Sequence, residues 1–468
     1  MKKKMMFIPF LFVIIACLVS CSYHIHHYTE TIVAPTCVED GYSLFTCECG
    51  VSFKSRIVTK VGHTIVVDEG YPCDCTNDGL SDGSHCSVCG EVIEKQEVIP
   101  HGHDWEYDVL KPATCEEEGI ASGMVCKRCG VTETKETVIP SLGHEYKVSE
   151  KKNSNGHSCL EHECSRCHNI YRDSLTVDYT KNYDYVELTT NSLYKNHAEI
   201  YKKMYKTFYD ACMKVFNSKT DYKKNTGEAY VILVTFEYSK GAMSQNEAYN
   251  VTDAFMKNNP QFYFLSSTMY HMSNTAVESI SLAIDEPYFK ASERKKCENN
   301  IKKMEREVYK SYLEMPNKDD YHKAKLIHDY IIHEIDYAYK NGRPSLEPIA
   351  HNIISVADGD NSTNGVCEAY SKTYLYLSNL LDLESIIVLG VGKGQNHGWN
   401  YTKINNKWYG VDTTWDDTVS GSVYDYFLAG MNTMNEDHII GSTNVGVTIG
   451  REVFQVELPT LAYDDYKA

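Results

Sequence analysis

Apolar residues recur at three- and four-residue intervals through "YKNHAEIYKKMYKTFYDACMKVF" (194–216), which predicts an amphipathic helix with Cys212 on its packing face. "AYVILVTFEY" (229–238) and "ISLAIDEPYF" (280–289) are strand patterns instead. Between them, "VTDAFMKNNPQFYFL" reads as a helix halted before Pro260 and followed by an aromatic strand. Helices dominate from 292 to 339. After Cys367, apolar residues fall at Tyr370, Tyr374, Leu377 and Leu381, one face of a helix that begins at about the cysteine, with Asn364 or Thr363 placed to cap it. Further on, "GQNHGWNYTKINNKWYGVDTTWDD" alternates as two strands joined at Asn405-Asn406, a two-residue hairpin turn. With that turn Ile404 faces Lys407 and Trp399 falls opposite Asp412. His397 then shares a face with Asp412, one diagonal step away at ~7–8 Å between backbones. A slip of one residue sends the pair to opposite faces.

The N-terminus has another pattern: Lys2-Lys3-Lys4, the apolar stretch "MMFIPFLFVIIACLV", then Ser20-Cys21, the order of a secretory signal peptide. The stretch is shorter than the ~20 residues of a spanning helix. The chain of 468 residues, 42% hydrophobic, has room for roughly two to four domains and at least one sizeable core. Its net charge of -18 leaves no basic surplus to neutralise phosphates, which excludes nucleic acid as a partner.

Residues 27 to 168 repeat at a period of about 40. "GHTIVVDEGYPCDCTNDGLSDGSHCSVCGEVIEKQEVIPHGH" (62–103) and "GHDWEYDVLKPATCEEEGIASGMVCKRCGVTETKETVIPSLGH" (102–144) are one unit copied. Each carries a Cys, then a Cys-x-x-Cys pair, then a Gly-His: Cys75, Cys86, Cys89 and His103, then Cys115, Cys126, Cys129 and His144. A degenerate first copy has Cys37, Cys47, Cys49 and His63, and a truncated fourth has Cys159, Cys164 and Cys167. Three thiolates and an imidazole are the ligands of a closed tetrahedral zinc site, and Cys-x-x-Cys followed by Gly turns two sulfurs toward one metal. Disulfides are the alternative, natural for an exported chain. Three cysteines per repeat would leave one thiol unpaired, which favours zinc, although Cys73 is an extra cysteine without a counterpart in the third copy. Either way the role is structural, because a unit of about 40 residues is too small to be stable without a staple.

A free cysteine is most often a small buried hydrophobe. Cys367 has a different address: in the first turn of a helix, the dipole and unpaired N–H groups favour negative charge and hence a thiolate. Thiol, imidazole and carboxylate together make an activated nucleophile, in which the His takes the thiol proton and the Asp orients the imidazole. A zinc site made from the same three residues has no obvious fourth ligand. His328 and His333, five apart, do not share a helical face and read as surface or core residues.

"GVCEAYSKTYLYL", "NHGWNYTKINNKWYGVDTTWDD" and "YFLAGMNTMNEDH" together resemble the core of the transglutaminase-like superfamily over about residues 318 to 440. The resemblance implies a papain-like α+β domain, a cysteine-bearing helix packed on an antiparallel sheet that bears the His and Asp. It implies Cys367 as nucleophile, His397 as general base and acid, Asp412 as orienting carboxylate, the Cys367 N–H in an oxyanion hole, and His351 lining the cleft. Ala369 stands where many relatives have Gly before the aromatic residue. The implied chemistry is attack on a protein or peptide amide through a thioester, with no cofactor for catalysis. Water as second nucleophile makes a peptidase or amidase, the preferred reading for a cleft outside the cell; a lysine amine makes a cross-linking enzyme. A catalytically silent adhesion scaffold is the rival from another class.

"LVSC" (18–21) resembles the lipobox of bacterial lipoproteins, which implies Cys21 as a lipid anchor and an extracytoplasmic protein tethered to the cell membrane. The repeats resemble Cys-rich repeats of Gram-positive surface proteins, which implies a stalk. The expected order is a signal peptide at 1–20, β-rich repeats stapled by Cys and His at 21–172, an intermediate mixed α/β region at 173–300, and the catalytic domain at 301–468.

Overall fold

Each repeat folds as an antiparallel hairpin whose middle strand ends at the first cysteine of its pair. In this computed structural model, which describes residues 25–192, 194–224, 231–358, 364–418, 421–440 and 456–467, the middle strands are Gly41–Cys47, Gly83–Cys86 and Gly119–Cys126. They lie between Tyr28–Val33 and Ser52–Val58, between Ile65–Asp68 and Val92–Glu94, and between Trp105–Lys111 and the short strands Thr132–Glu133 and Thr137–Ile139. After each middle strand the chain reverses through Gly50, Gly90 or Gly130, at φ of 90°, 75° and 73°. The glycine N–H donates back to the carbonyl of Cys47, Cys86 or Cys126 at 2.8 Å. Glycine suits these turns because a side chain resists positive φ.

The signal segment 1–20, Cys21 and Thr363 lie outside the described residues. Among those described, no helix is long and apolar enough to cross a membrane.

The chain divides into two compact units, Met1–Gly143 and His144–Ala468. These are not the boundaries expected at 172 and 300. A fourth hairpin, Tyr146–Lys152, Ser158–Cys164 and Ile170–Thr176, lies in the second unit, and one core cluster there runs from Leu175 to Val456. Glu305 ties together elements on either side of position 300. From the helix Ala291–Glu314 it accepts from the N–H of Ser174 and Leu175 at 2.7 and 2.9 Å and from the Tyr376 hydroxyl at 2.7 Å. Burial pushes its carboxyl up to about 7, against the pull of those donors.

Within the second unit, the helix Ala198–Phe216 buries Tyr201, Met204, Tyr205, Phe208, Cys212 and Val215, the three-and-four spacing of its sequence. A capping box between Ser244 and Glu247 starts the helix Gln245–Asn258, which stops just short of Pro260. Val277–Ile284 is the central strand between Val231–Ser239 and Leu265–Ser273. It ends at Ile284 rather than 289 because Pro287 opens a 3-10 turn over Glu286–Tyr288. The helices Ala291–Glu314 and Asp320–Glu334 follow.

Five antiparallel strands form the last sheet, in the order Phe427–Ala429, Lys407–Val411, Gln395–Ile404, Ser385–Gly392, His438–Ile440. The helix Cys367–Leu380 packs on it. Asn400 Nδ2 donates to the Ser371 carbonyl at 3.1 Å, and Thr402 Oγ1 donates to the Tyr374 hydroxyl at 3.2 Å.

Candidate active site

Cys367 is the first residue of its helix, and its side chain is half-buried. The cap differs from expectation. Val366, extended at φ −97° and ψ 173°, holds the N-cap position without a side-chain bond, and Asn364 does not cap the helix. The first-turn amides are therefore not consumed by a capping side chain. The N–H of Cys367 turns toward the hydroxyl of Tyr337.

Asn405 and Asn406, at φ of 52° and 63°, make the tight turn that sets Ile404 opposite Lys407 and Asn400 opposite Val411. That register brings His397 and Asp412 onto one face. Nε2 of His397 is 2.6 Å from Oδ2 of Asp412, and both residues are buried. Cys367 is the other hydrogen-bonding partner of His397, which leaves Nδ1 as the ring nitrogen toward the sulfur. Asp412 follows the strand Lys407–Val411 and N-caps the short helix Thr413–Asp416. Its Oδ1 accepts from the N–H of Thr414 and Trp415 at 3.0 and 3.3 Å. One oxygen thus anchors the carboxylate to backbone while the other faces the imidazole.

Burial opposes charge on His397, but the charge and hydrogen bond of Asp412, with Cys367 adding to them, push the imidazole up to about 10. Burial likewise opposes ionisation of Asp412, and His397 and His438 nevertheless hold it well below the usual carboxylate range. The geometry suits a charged imidazolium between a sulfur and a carboxylate.

Sequence reasoning gave no role to His438. Its Nε2 lies 3.1 Å from the same Asp412 oxygen and its Nδ1 lies 2.8 Å from Asp437. It reaches the site because His438–Ile440 pairs with the far edge of the sheet, with His438 opposite Gly392. Trp415 stacks on His397 with ring centroids 4.7 Å apart and meets the His438 ring at 4.4 Å. Gly392 permits this crowding, since a Cβ there would sit 2.6 Å from Trp415 Cζ2 and 3.1 Å from His397 Cδ2. His397, Asp412 and His438 are close enough to be considered as metal ligands. At 2.6 Å, however, the His397 and Asp412 atoms are nearer than the roughly 3.4 Å that two ~2.1 Å bonds to one tetrahedral ion impose.

His351 is engaged elsewhere, with Nδ1 2.8 Å from Glu368 and Nε2 donating to the Ser345 carbonyl at 2.9 Å. His328 is fully buried and pairs with Asp416 at 3.0 Å, a second His–carboxylate contact that braces the turn after Asp412. An open groove lined by Trp408, Tyr409, Leu461 and Tyr463 lies toward the Asn405-Asn406 end of the hairpin and holds none of the three site residues.

The Cys and His residues of the repeats gather in sets other than those expected. Cys86 and Cys89 group with Cys37 and His63, and Cys126 and Cys129 with Cys75 and His103; His26, Cys47 and Cys49 form a set of three donors. Cys75 and His103 are thus separated from Cys86 and Cys89. Cys115, buried in the first unit, is not among the donors around Cys126, and His144 instead meets Cys167, 3.3 Å from its sulfur. Strand pairing explains the shift. Ile65 lies opposite Cys86 and Trp105 opposite Cys126, so each Gly-His stands beside the pair that follows it.

Residues 309–413 match the profile described as the Transglutaminase-like superfamily. Cys367, His397 and Asp412 fall inside that span, and His438 falls outside it. No curated protein matches the chain. Among solved structures, the chain is similar to one described as "Crystal structure of a TGase", at 16% identity and a TM-score of 0.21, covering 45% of this chain and 58% of that one. It is also similar to one described as a "Putative Cysteine Protease from Cytophaga hutchinsonii", at 14% identity and a TM-score of 0.19, covering 44% of this chain and 73% of that one. The chain therefore spans little more than half the length of the first of these. Residues 309–413 are thus the part of the chain similar to the transglutaminase-like superfamily.

Proposed function

We propose that this protein is a thiol enzyme that attacks protein or peptide amide bonds through an acyl-Cys367 thioester, releasing the acyl group to water as a peptidase or amidase. Supporting this reading most directly is the buried 2.6 Å contact between His397 and Asp412, with Cys367 as the other partner of the imidazole. In this scheme the Cys367 thiolate adds to the amide carbonyl carbon, and the oxyanion takes the Cys367 N–H in place of the Tyr337 hydroxyl. The amine leaves with the proton held by His397. Water then attacks the thioester, His397 accepts its proton, and the acid departs. No cofactor is required for these steps. Cys21 would tether the enzyme to the outer face of a bacterial membrane and the repeats would act as its stalk.

The test is a peptide library incubated with the full chain and with Cys367→Ala, scored for new N-termini and, in parallel, for incorporation of a labelled primary amine. New N-termini that depend on Cys367 support hydrolysis, while amine incorporation without them moves the assignment to transamidation. Iodoacetamide labelling separates both from a silent scaffold. The reading expects fast alkylation of Cys367 at neutral pH that slows at least ~tenfold in His397→Ala; equal slow rates in both proteins would remove the enzyme reading.

A further inference from the structure

Among the described residues of the first unit, the buried hydrophobic side chains are Cys37, Cys47, Cys86, Cys115, Cys126 and Ala121. Ile32, Ile57, Ile65 and Val67 stand exposed on the strands. Hairpins without an apolar core need another source of cohesion. In each four-donor cluster the ligand atoms lie within 4.8 Å of one another. In the first cluster Cys37 and Cys86 place their sulfurs 3.7 Å apart, and Cys89 Sγ is 3.5 Å from His63 Nδ1. In the second, the Cys75 and Cys126 sulfurs are 3.6 Å apart and Cys129 Sγ is 3.3 Å from His103 Nδ1. Two ~2.3 Å zinc–sulfur bonds at the tetrahedral angle put the sulfurs about 3.8 Å apart, and a sulfur with a ~2.0 Å nitrogen ligand about 3.5 Å apart. A disulfide requires ~2.05 Å.

The surroundings fit the charge of such a centre. Three thiolates leave one negative charge on a zinc complex, and amides of each pair turn toward the first sulfur: Val88 and Cys89 toward Cys86, Arg128 and Cys129 toward Cys126. Nε2 of His63 is 3.5 Å from the Glu91 carboxylate, the outer contact that orients a metal-binding imidazole. Arg128 brings a positive charge to the second cluster and donates to the carbonyls of Cys73 and Gly102. The extra thiol, Cys73, lies 3.8 Å from Arg128 Nη1, outside the donor set. Tetrahedral, thiolate-rich sites select zinc over magnesium or calcium.

We propose that the first unit binds two structural zinc ions, and that each ion is shared: a lone cysteine of one repeat joins the His and Cys-x-x-Cys pair of the following hairpin. The metal is a joint between consecutive repeats and does not close each repeat on itself. This inference is independent of the chemistry at Cys367.

The full chain, purified under reducing conditions and desalted, is assayed for zinc by elemental mass spectrometry beside Cys75→Ser, Cys86→Ser, Cys126→Ser and the pairwise variants. Each single variant should lose one zinc per chain. Cys75→Ser with Cys126→Ser should lose the same one, because both act on one site. Cys75→Ser with Cys86→Ser should lose two, and the zinc that remains in each single variant shows that the protein has folded. Loss of only one zinc from the Cys75/Cys86 pair, with two lost from the Cys75/Cys126 pair, would overturn the shared arrangement. Absence of zinc would overturn the metal altogether, as would an intact mass lowered by paired thiols in chain purified without reductant.

Discussion

In the first unit the side chains most shielded from water include cysteines at the ends of strands; in the second they include Tyr205, Phe208, Phe255, Tyr370, Tyr374 and Trp399. The same side chain also has three situations across these regions. Cys86 faces another sulfur in a cluster, Cys212 is sealed among aromatic residues where burial pushes its thiol well up, and Cys367 is half-exposed beside an imidazole. Residue type alone does not separate staple, filler and nucleophile. Neighbours do, through the charge they tolerate or favour on sulfur.

The sharpest way to break this contrast is to remove one thiol of each kind in the second unit. Cys367→Ala should lower kcat/KM for an amide substrate by about 10⁴-fold. Cys212→Ala should keep full activity and cost about 1 kcal/mol in urea unfolding. Equal losses would mean that the two thiols do not differ in role. Next in size, Asp412→Asn should reduce kcat by about 10³-fold and move the alkaline limb of the pH profile. The His397 value is raised, so its charged form persists below about 10 and is lost as pH rises through it. Without the carboxylate, burial is left to favour neutral imidazole, and the limb shifts to lower pH. A limb that stayed in place would detach Asp412 from the titration.

Stability sharpens the comparison of the regions themselves. Phe208→Ala, in the core of the second unit, should cost about 3–5 kcal/mol, whereas Ile57→Ala, at 71% exposure in the first unit, should change stability by no more than about 0.5 kcal/mol. Hydrogen exchange of amides in each unit would read the two effects separately, and comparable costs would indicate an apolar core in both. Among the changes at the site, the smallest effect belongs to His438→Gln. Loss of its contact with Asp412 should lower kcat about tenfold with little change in KM, consistent with a positioning residue. A change confined to KM would place His438 in substrate binding instead.

The parts legible in the sequence are those set by local spacing. The helix Ala198–Phe216 follows from its three-and-four pattern, and the Asn405-Asn406 turn was enough to place His397 and Asp412 on one face. Contacts assembled by distant pairing were not legible. His438 is 26 residues from Asp412 and arrives through an edge strand with no periodicity of its own. The ligand sets of the repeats were misgrouped because proximity along the chain favours the Gly-His that follows a cysteine pair, while antiparallel pairing favours the one that precedes it. One core cluster also holds residues from both sides of position 300, because a run of helices in the sequence does not say which strands and helices they pack against.

The offset of the donor sets gives each repeat a leading and a trailing half of two different clusters. Such a unit is modular in the sense of a chain link. Inserting or deleting a whole copy leaves every interior connection with a full complement of donors, so length can vary by duplication without redesign of any junction. Among the described residues, His26, Cys47 and Cys49 form a set of three donors, one fewer than the sets that follow.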